Sequence, residues 1–273
     1  MSAEVSVLMA VYGGTDPAAF AEALGSVLDQ TQPPDEVVVV VDGPVGRAHD
    51  EVLASAQGRS AAVRRVDLPV NVGLGQALAR GLDACTGTWV ARADADDVNE
   101  PHRLQAQLHA VAAGADVCGA AMTEFAGGTV LGVRTMPLEH AAIARRMRTT
   151  NPVNHPTAFF RRQAAQAAGG YQELPLLEDY DLWARMLVAG ARFVNLPEPL
   201  VRFRADGMLD RRSGSDVRRA ERELQRRLVG YGLVSAWRAR WNLLLRNAFR
   251  ALPRPLMERA YAVLFRRRAG DRA

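Results

Sequence analysis

Three carboxylates fall within four positions at the end of an apolar run, Trp89-Val90-Ala91-Arg92-Ala93-Asp94-Ala95-Asp96-Asp97. Like charges that close repel and raise one another's affinity for protons. A divalent cation offsets the repulsion: Mg2+ or Mn2+ takes one or two carboxylates and fills its shell with water and phosphate oxygens. The plainer reading is a set of acids capping a helix that begins near Pro101, since acids favour helix N-termini. Three in four positions exceed what a cap needs. The spacing therefore predicts a site for a metal and a diphosphate. Asp96 is expected as the direct ligand, with Asp94 on a nucleotide ribose or a metal-bound water.

A second acidic cluster is Leu177-Glu178-Asp179-Tyr180-Asp181-Leu182-Trp183. Read as a helix, it places Asp179 in the first turn, either as an N-terminal acid or as a general base. A carboxylate in a partly dry cleft can take the proton of an attacking hydroxyl. His155, between Asn154 and Pro156, is a candidate for the cleft wall; an ordinary structural histidine is the plainer reading. Asp42 follows five valines and precedes Gly43, so it reads as a turn residue or as an acceptor for a base N–H. Tyr12 ends the first apolar run, as core or as a stacking partner for a base. Gly73 and Gly75 make no dinucleotide fingerprint, because position 78 is Leu.

These residues need elements to position them. Apolar runs at 5–11, 36–41, 63–68 and 88–93 read as strands. Between them lie helical patterns. Asp16-Pro17 is an N-cap followed by proline at the first helical position, ahead of Phe20, Leu24, Val27 and Leu28. A polar helix is expected over 49–56, and Leu74, Leu78 and Leu82 share one helical face. Pro101 opens a further helix, with Leu104, Leu108 and Val111 inward. This alternation predicts an α/β fold with a mostly parallel central sheet flanked by helices. Ligands of such sheets sit beyond the carboxyl ends of the strands, where Tyr12, Asp42, Asn71 and Asp94 all fall.

After Gly114 the pattern becomes α+β. A hairpin is expected around Gly127-Gly128, between 116–125 and 129–135. A helix over 140–148, a rigid loop over 151–156, a strand over 157–160, a helix over 178–187 and a short last strand over 193–196 follow. The stretch 204–215 reads as a mobile loop, and helices are expected over 216–250 and 255–268. The reading is a catalytic unit over 1–210, with a nucleotide-binding half (1–114) and an acceptor half (115–210), then an Arg-rich helical tail over 211–273.

The bulk numbers agree with an enzyme core. Of 273 residues, 48% are hydrophobic, enough for a sizeable interior. The only cysteines, Cys85 and Cys118, sit in apolar surroundings with no CxxC, as core residues of a protein in a reducing compartment. No apolar run approaches the roughly 18 residues of a membrane span. No basic leader precedes the first strand, so a cytoplasmic location is expected. There is no lysine, so all 34 basic side chains are arginine, which reads as coding bias. The net charge of +4 hides a split: residues 1–210 carry 17 Arg against 25 acids, and residues 211–273 carry 17 against 5. Such a tail seeks phosphate. Within it, residues 237–250 interleave Trp, Leu and Arg, and Tyr261, Leu264 and Phe265 precede Arg266-Arg267-Arg268. Two readings stay open: an interfacial helix on an anionic membrane, or a helix packed on the core with a solvated Arg face. Nucleic acid is a poorer partner, because no binding motif accompanies the charge.

In order along the chain, the motifs resemble those of the inverting family 2 glycosyltransferases of the GT-A fold. They are Val7-Leu8-Met9-Ala10-Val11-Tyr12, Ser26-Val27-Leu28-Asp29-Gln30-Thr31, Asp42-Gly43, Asn71-Val72-Gly73-Leu74 and Ala91-Arg92-Ala93-Asp94-Ala95-Asp96-Asp97. Asn154-His155-Pro156-Thr157, Glu178-Asp179-Tyr180-Asp181-Leu182-Trp183 and Asn195-Leu196-Pro197-Glu198 complete the series. The nearest subgroup resembles enzymes of exopolysaccharide and surface-glycan assembly, of the amylovoran-biosynthesis type. The resemblance implies a nucleotide-sugar donor, UDP favoured, and Mg2+ or Mn2+ on Asp94 and Asp96. It implies donor contacts at Ala10, Tyr12, Asp42, Asn71, Gly73, Arg92, Asp94 and Asp96, and a base at Asp179. His155, Glu178 and Trp183 fall on the acceptor side, where a glycan or lipid-linked acceptor is expected. Val41 stands where the family often has Asp, and Gly13 where it often has Asn; both departures bear on the nucleobase. No Gln-x-x-Arg-Trp follows Asp179, so a non-processive enzyme is implied.

Two other functions fit parts of the pattern. A nucleotidyltransferase also uses carboxylates, a metal and a nucleotide, but needs a basic Gly-rich loop after the first strand. Gly13-Gly14 lacks those cations. A catalytically silent, membrane-associated scaffold of the same fold would show no metal-dependent turnover.

Overall fold

The structure is a computed structural model that describes residues 4–206, 215–253, 256, 257, 259–261, 266 and 267. Its centre is a ten-stranded sheet. The first half is built from β1 (Val5–Val11), α1 (Pro17–Leu28), β2 (Glu36–Asp42), α2 (Arg47–Arg59), β3 (Val63–Leu68), α3 (Leu74–Ala84) and β4 (Trp89–Asp94). Strands β3, β2, β1 and β4 lie side by side and all parallel. Their carboxyl ends therefore open on one edge, as the alternation of elements predicts.

The second half is mixed. It runs through β5 (Val98–Asn99), α4 (Arg103–Val111), β6 (Val117–Ala126), β7 (Thr129–Arg134), α5 (His140–Met147), a 3-10 turn (His155–Thr157), β8 (Phe159–Arg161), α6 (Arg162–Ala167), α7 (Glu178–Val188) and β9 (Phe193–Arg204). β8 inserts antiparallel between β4 and β6, while β6 and β7 form the expected hairpin. The run of parallel neighbours from β3 to β4 thus ends at β8, and parallel pairing returns between β6 and β9.

The sheet buries both faces. On β2, Val38 and Val40 join one core with Leu78, Leu82 and Trp183, while Val37, Val39 and Val41 join another with Phe20 and Leu24. Alternate side chains of a strand point to opposite faces, so a strand covered on both sides reads as an unbroken apolar run. Helix α1 starts where the sequence places it: Asp16 accepts the Ala18 N–H at 3.0 Å, and Pro17 occupies the first helical position. Cys85 and Cys118 are buried and free, their thiols pushed up to about 12 mainly by desolvation.

Three expectations change. The last strand is not four residues but twelve, running through Pro197 and Pro199. Proline lacks the N–H a central strand donates; β9 absorbs both with register shifts against β6 near Ala121, as β-bulges do. The helical tail is divided into α8 (Ser215–Gly230) and α9 (Ala236–Arg250), with Ser235 capping α9 through the Arg238 N–H. Arg266–Arg267 is a strand, β10, antiparallel to β7, where a helix was expected. The centre of the expected mobile loop, 207–214, lies outside the described residues, as does much of 255–268.

Candidate active site

The acid cluster is the turn after β4. Asp94 pairs in register with Ala10 of β1, and Asp94, Asp96 and Asp97 bring carboxylate oxygens within 4.8 Å of one another. Asp94 and Asp96 are half-buried, whereas Asp97 is 1% exposed. Burial, then the charges of Asp94 and Asp96, push the Asp97 pKa well above the usual carboxylate range. One Asp97 oxygen accepts the Arg204 backbone N–H at 2.8 Å; the other is buried with no hydrogen-bond partner among the described residues. All the donors are hard oxygens, they crowd one another, and one is orphaned. That donor set fits a hard divalent cation.

Two arginines back the acids. Arg92, buried in β4, forms an ion pair with Asp94. Burial alone would lower its pKa, but Asp94 holds the guanidinium above its ordinary value. Beneath it lies Arg103, 1% exposed. It donates to the Arg92 carbonyl at 2.7 Å, to Gln107 Oε1 at 3.0 Å and to Asn99. Desolvation, then the Arg92 charge, lowers Arg103 to about 9. Arg204, at the end of β9, donates to the Asp96 carbonyl at 3.1 Å and lies over the Phe125 ring. Sequence reasoning missed Arg103 and Arg204. Arg204 was expected to open a loop, whereas it is the last residue of β9.

The loop that opens α3 is tied to β2. Asp42 is 5% exposed, and its two oxygens accept the Val72 N–H at 2.7 Å and the Gly73 N–H at 3.0 Å. Asn71 donates back to the Asp42 carbonyl at 3.2 Å. In this structure Asp42 clamps the loop that opens α3. Gly43 makes the closeness workable: its φ is +80° and a Cβ there would lie 2.5 Å from the Asn71 nitrogen, a conformation and a gap only glycine accepts. Tyr12 is 53% exposed at the end of β1. Its ring covers Gly14, where any Cβ would fall 2.5 Å from the ring. The phenol ring thus stands as an open platform beside the Asp42 loop.

Asp179 lies in the first turn of α7, as expected, and is 8% exposed. Its Oδ1 accepts the Tyr180 N–H at 2.7 Å and its Oδ2 accepts the Asn151 amide at 2.6 Å. His155 Nδ1 approaches the same Oδ2 at 4.0 Å, while its Nε2 meets the Tyr171 hydroxyl at 3.0 Å. Burial, then Arg92, holds the His155 pKa well below its ordinary value. Glu178 is pushed up to about 8 by burial, then by Asp179, with Asp94 adding to the effect.

The two acidic clusters share one field. Burial raises the Tyr171 hydroxyl; Arg92 opposes, and Asp179, Glu178 and Asp94 reinforce the rise. Through His155, which meets the Tyr171 hydroxyl at 3.0 Å and approaches Asp179 at 4.0 Å, Tyr171 adjoins the start of α7. The start of α3 joins them, since a Cβ on Gly75 would lie 3.3 Å from Glu178. Trp183 was expected on the acceptor side. It is fully buried, packed edge-on to Phe160 and His155. Its helical position turns it into the core, where it backs His155 and offers an acceptor no surface.

A sheet whose parallel half ends in a clamped loop and a carboxylate turn, closed by mixed strands, is the GT-A fold of glycosyltransferases. The solved structure of S. aureus TarS 1–349 in complex with UDP-GlcNAc is similar, with a TM-score of 0.67 over 86% of this chain and 69% of that one, at 19% identity. The model of Glycosyl transferase family 2 matches residues 6–168, and the chain belongs to that family. It is 33% identical to the amylovoran biosynthesis glycosyltransferase AmsE of Erwinia amylovora, over 94% of this chain and 97% of that protein. It is 31% identical to the UDP-Gal:alpha-D-GlcNAc-diphosphoundecaprenol beta-1,3-galactosyltransferase of Escherichia coli, over 96% of both. The chain is thus a glycosyltransferase, and the nucleotidyltransferase and silent-scaffold readings fall away.

Proposed function

We propose that this enzyme is a non-processive, inverting glycosyltransferase. It moves a sugar from a nucleotide diphosphate, UDP favoured, to a hydroxyl of a glycan or lipid-linked acceptor in cell-envelope polysaccharide assembly. The observation that carries this is the closeness of the α7 start to the loop that Asp42 clamps: a Cβ on Gly75 would lie 3.3 Å from Glu178, beside Asp179. A donor held at the Asp94 turn presents its anomeric carbon toward Asp179. The diphosphate-lipid acceptor and UDP-galactose donor in the name of the E. coli relative support the substrate classes.

In this reading the Tyr12 ring stacks on the base, and Ala10, Asn71 and Gly73 line the nucleoside. Asp42 holds the loop and offers its remaining lone pairs to a base N–H. Asp94 and Asp96 hold Mg2+ or Mn2+, which when bound neutralises charge on the departing diphosphate. Arg92 keeps Asp94 ionised and oriented. Asn151 fixes the Asp179 carboxylate, whose Oδ2 takes the proton of the acceptor hydroxyl. The acceptor oxygen so deprotonated attacks the anomeric carbon opposite the nucleotide, the bond to the diphosphate breaks, and configuration inverts. Burial works against the charged forms of His155 and Glu178, and Asp179, held by the Asn151 amide, is the base of the reading. No helix among the described residues is long and apolar enough to cross a membrane. The reading is a cytoplasmic enzyme, peripheral to the membrane where the acceptor is lipid-linked.

The test is Asp179→Asn. Transfer is expected to fall by roughly 10²–10⁴-fold, the usual worth of a positioned base. Nucleotide-sugar binding with Mn2+, read as a thermal shift, is expected to persist, since ligands stabilise the state they bind. Wild-type rates in the variant, or loss of donor binding with activity, would overturn the assignment.

A further inference from the structure

Helix α9 has two opposite faces with different partners. On one, Asn242 donates to the Arg148 carbonyl at 2.9 Å and to Gln225 at 3.0 Å. Arg246 on the same face donates to Glu221 at 2.9 Å and to the Thr149 carbonyl at 2.7 Å. On the other, Trp237, Trp241, Leu244 and Leu245 recur at i, i+4, i+7 and i+8, one stripe of an α-helix. All four are exposed, Trp237 by 69% and Leu244 by 58%. The two indoles lie parallel, 3° apart in plane with centroids at 6.1 Å. The helix is therefore held rigidly by its polar side while its aromatic and aliphatic side points outward, the reverse of an ordinary surface helix.

The charges complete the pattern. At 3.6 residues per turn, Arg238 and Arg240 fall on the two shoulders of the stripe. Both are exposed, and neither has an ion pair among the described residues. The stretch from 211 onward carries 17 Arg against 5 acids. Trp and Leu flanked by Arg is the composition of helices that lie in the headgroup region of anionic bilayers. A second protein copy would need acids opposite those arginines, and α9 itself has none to offer in a self-paired contact.

The anchoring face reaches the site. Arg148 and Thr149, which α9 grips, lead directly into Asn151, whose amide holds Asp179. We infer that the Trp237–Trp241–Leu244–Leu245 face of α9 is a docking surface for an anionic phospholipid bilayer. It seats the acceptor side of the site at the headgroups. This deepens the lipid-linked acceptor reading by naming the surface that meets the lipid.

The test is flotation of the full chain with vesicles, without donor. Wild type is expected to float with phosphatidylglycerol–phosphatidylcholine vesicles and not with phosphatidylcholine alone, and high salt is expected to weaken binding. The Trp237→Ser/Leu244→Ser variant is expected to bind at least ~10-fold more weakly, and Arg238→Ala/Arg240→Ala to lose the preference for anionic lipid. The donor thermal shift of each variant, measured without vesicles, is expected to match wild type, which reports folding and the site separately from lipid binding. The inference is overturned if wild type floats with neither vesicle or equally with both. It is also overturned if the stripe substitutions leave flotation intact, or if they convert a dimer in light scattering to a monomer. Failure of the glycosyl-transfer reading would appear instead as a missing donor shift.

Discussion

Glu178 and Asp179 are adjacent buried carboxylates, and their crowding has a thermodynamic consequence. The folded-state pKa of Glu178 is raised from 4.5 to about 8. Between those values the native chain keeps a proton that the unfolded chain has released, so stability falls as pH rises through the window. The penalty is complete above the folded value. Glu178→Gln removes the titration. The melting temperature of the variant relative to wild type is therefore expected to climb from about pH 5 to about pH 8; a constant offset across that range would show that Glu178 does not titrate there. At this scale the acids were legible because each stands at the end of an element, where a pattern break exposes it. Asn151, Tyr171 and Arg103 were not. Asn151 meets Asp179 across 28 positions, and Arg103 meets the Ala158 carbonyl across 55. Nothing local in the sequence marks such partners, because the fold alone brings them together.

Elements decide whether those residues arrive. The loop that opens α3 comes close to β2 because Gly43 holds φ +80° with the Asn71 backbone against it. Gly43→Ala forces either a strained backbone or a displaced loop. The expected cost is about 1–3 kcal/mol, the scale of an unfavourable φ/ψ pair, read as a lower denaturation midpoint. The Asp42 clamp on Val72 and Gly73 would loosen with it, so the donor-induced thermal shift should shrink beyond what stability alone explains. The first four strands could be read from the sequence because burial on both faces writes itself as apolar runs. β9 could not be read to its end. Pro197 and Pro199 argue against a strand, and it continues because β6 slips register twice alongside it and β5 pairs with its far end. That continuation delivers Arg204 to Asp96 and Asp97, so the least legible strand supplies one wall of the acid turn.

At the scale of the molecule, the charge split of the sequence suggests a body and a detachable basic tail, but the packing divides differently. Leu224 and Leu228 of α8 are fully buried in the same core as Leu78 and Trp183. Asp181, also fully buried, accepts from Arg185 at 2.9 Å within α7 and from Arg227 and Tyr231 at 3.3 and 2.9 Å beyond it. Summed charge hid this, because the arginines that find buried acids count the same as those facing water. Of the two readings of the tail, packing holds for α8 and for one face of α9. The opposite face of α9 stays outward. Paired substitutions separate the two roles. Leu224→Ala empties a buried site and is expected to cost about 2–5 kcal/mol. Leu244→Ala, on the exposed stripe of α9, is expected to stay within about 0.5 kcal/mol. Urea titrations with a shared slope would measure both. Equal costs would mean that α8 is no more part of the core than the outer face of α9. A large cost at Leu224 alone makes the helix that follows the catalytic sheet a structural member of it, and leaves α9 as the element through which the enzyme meets its surroundings.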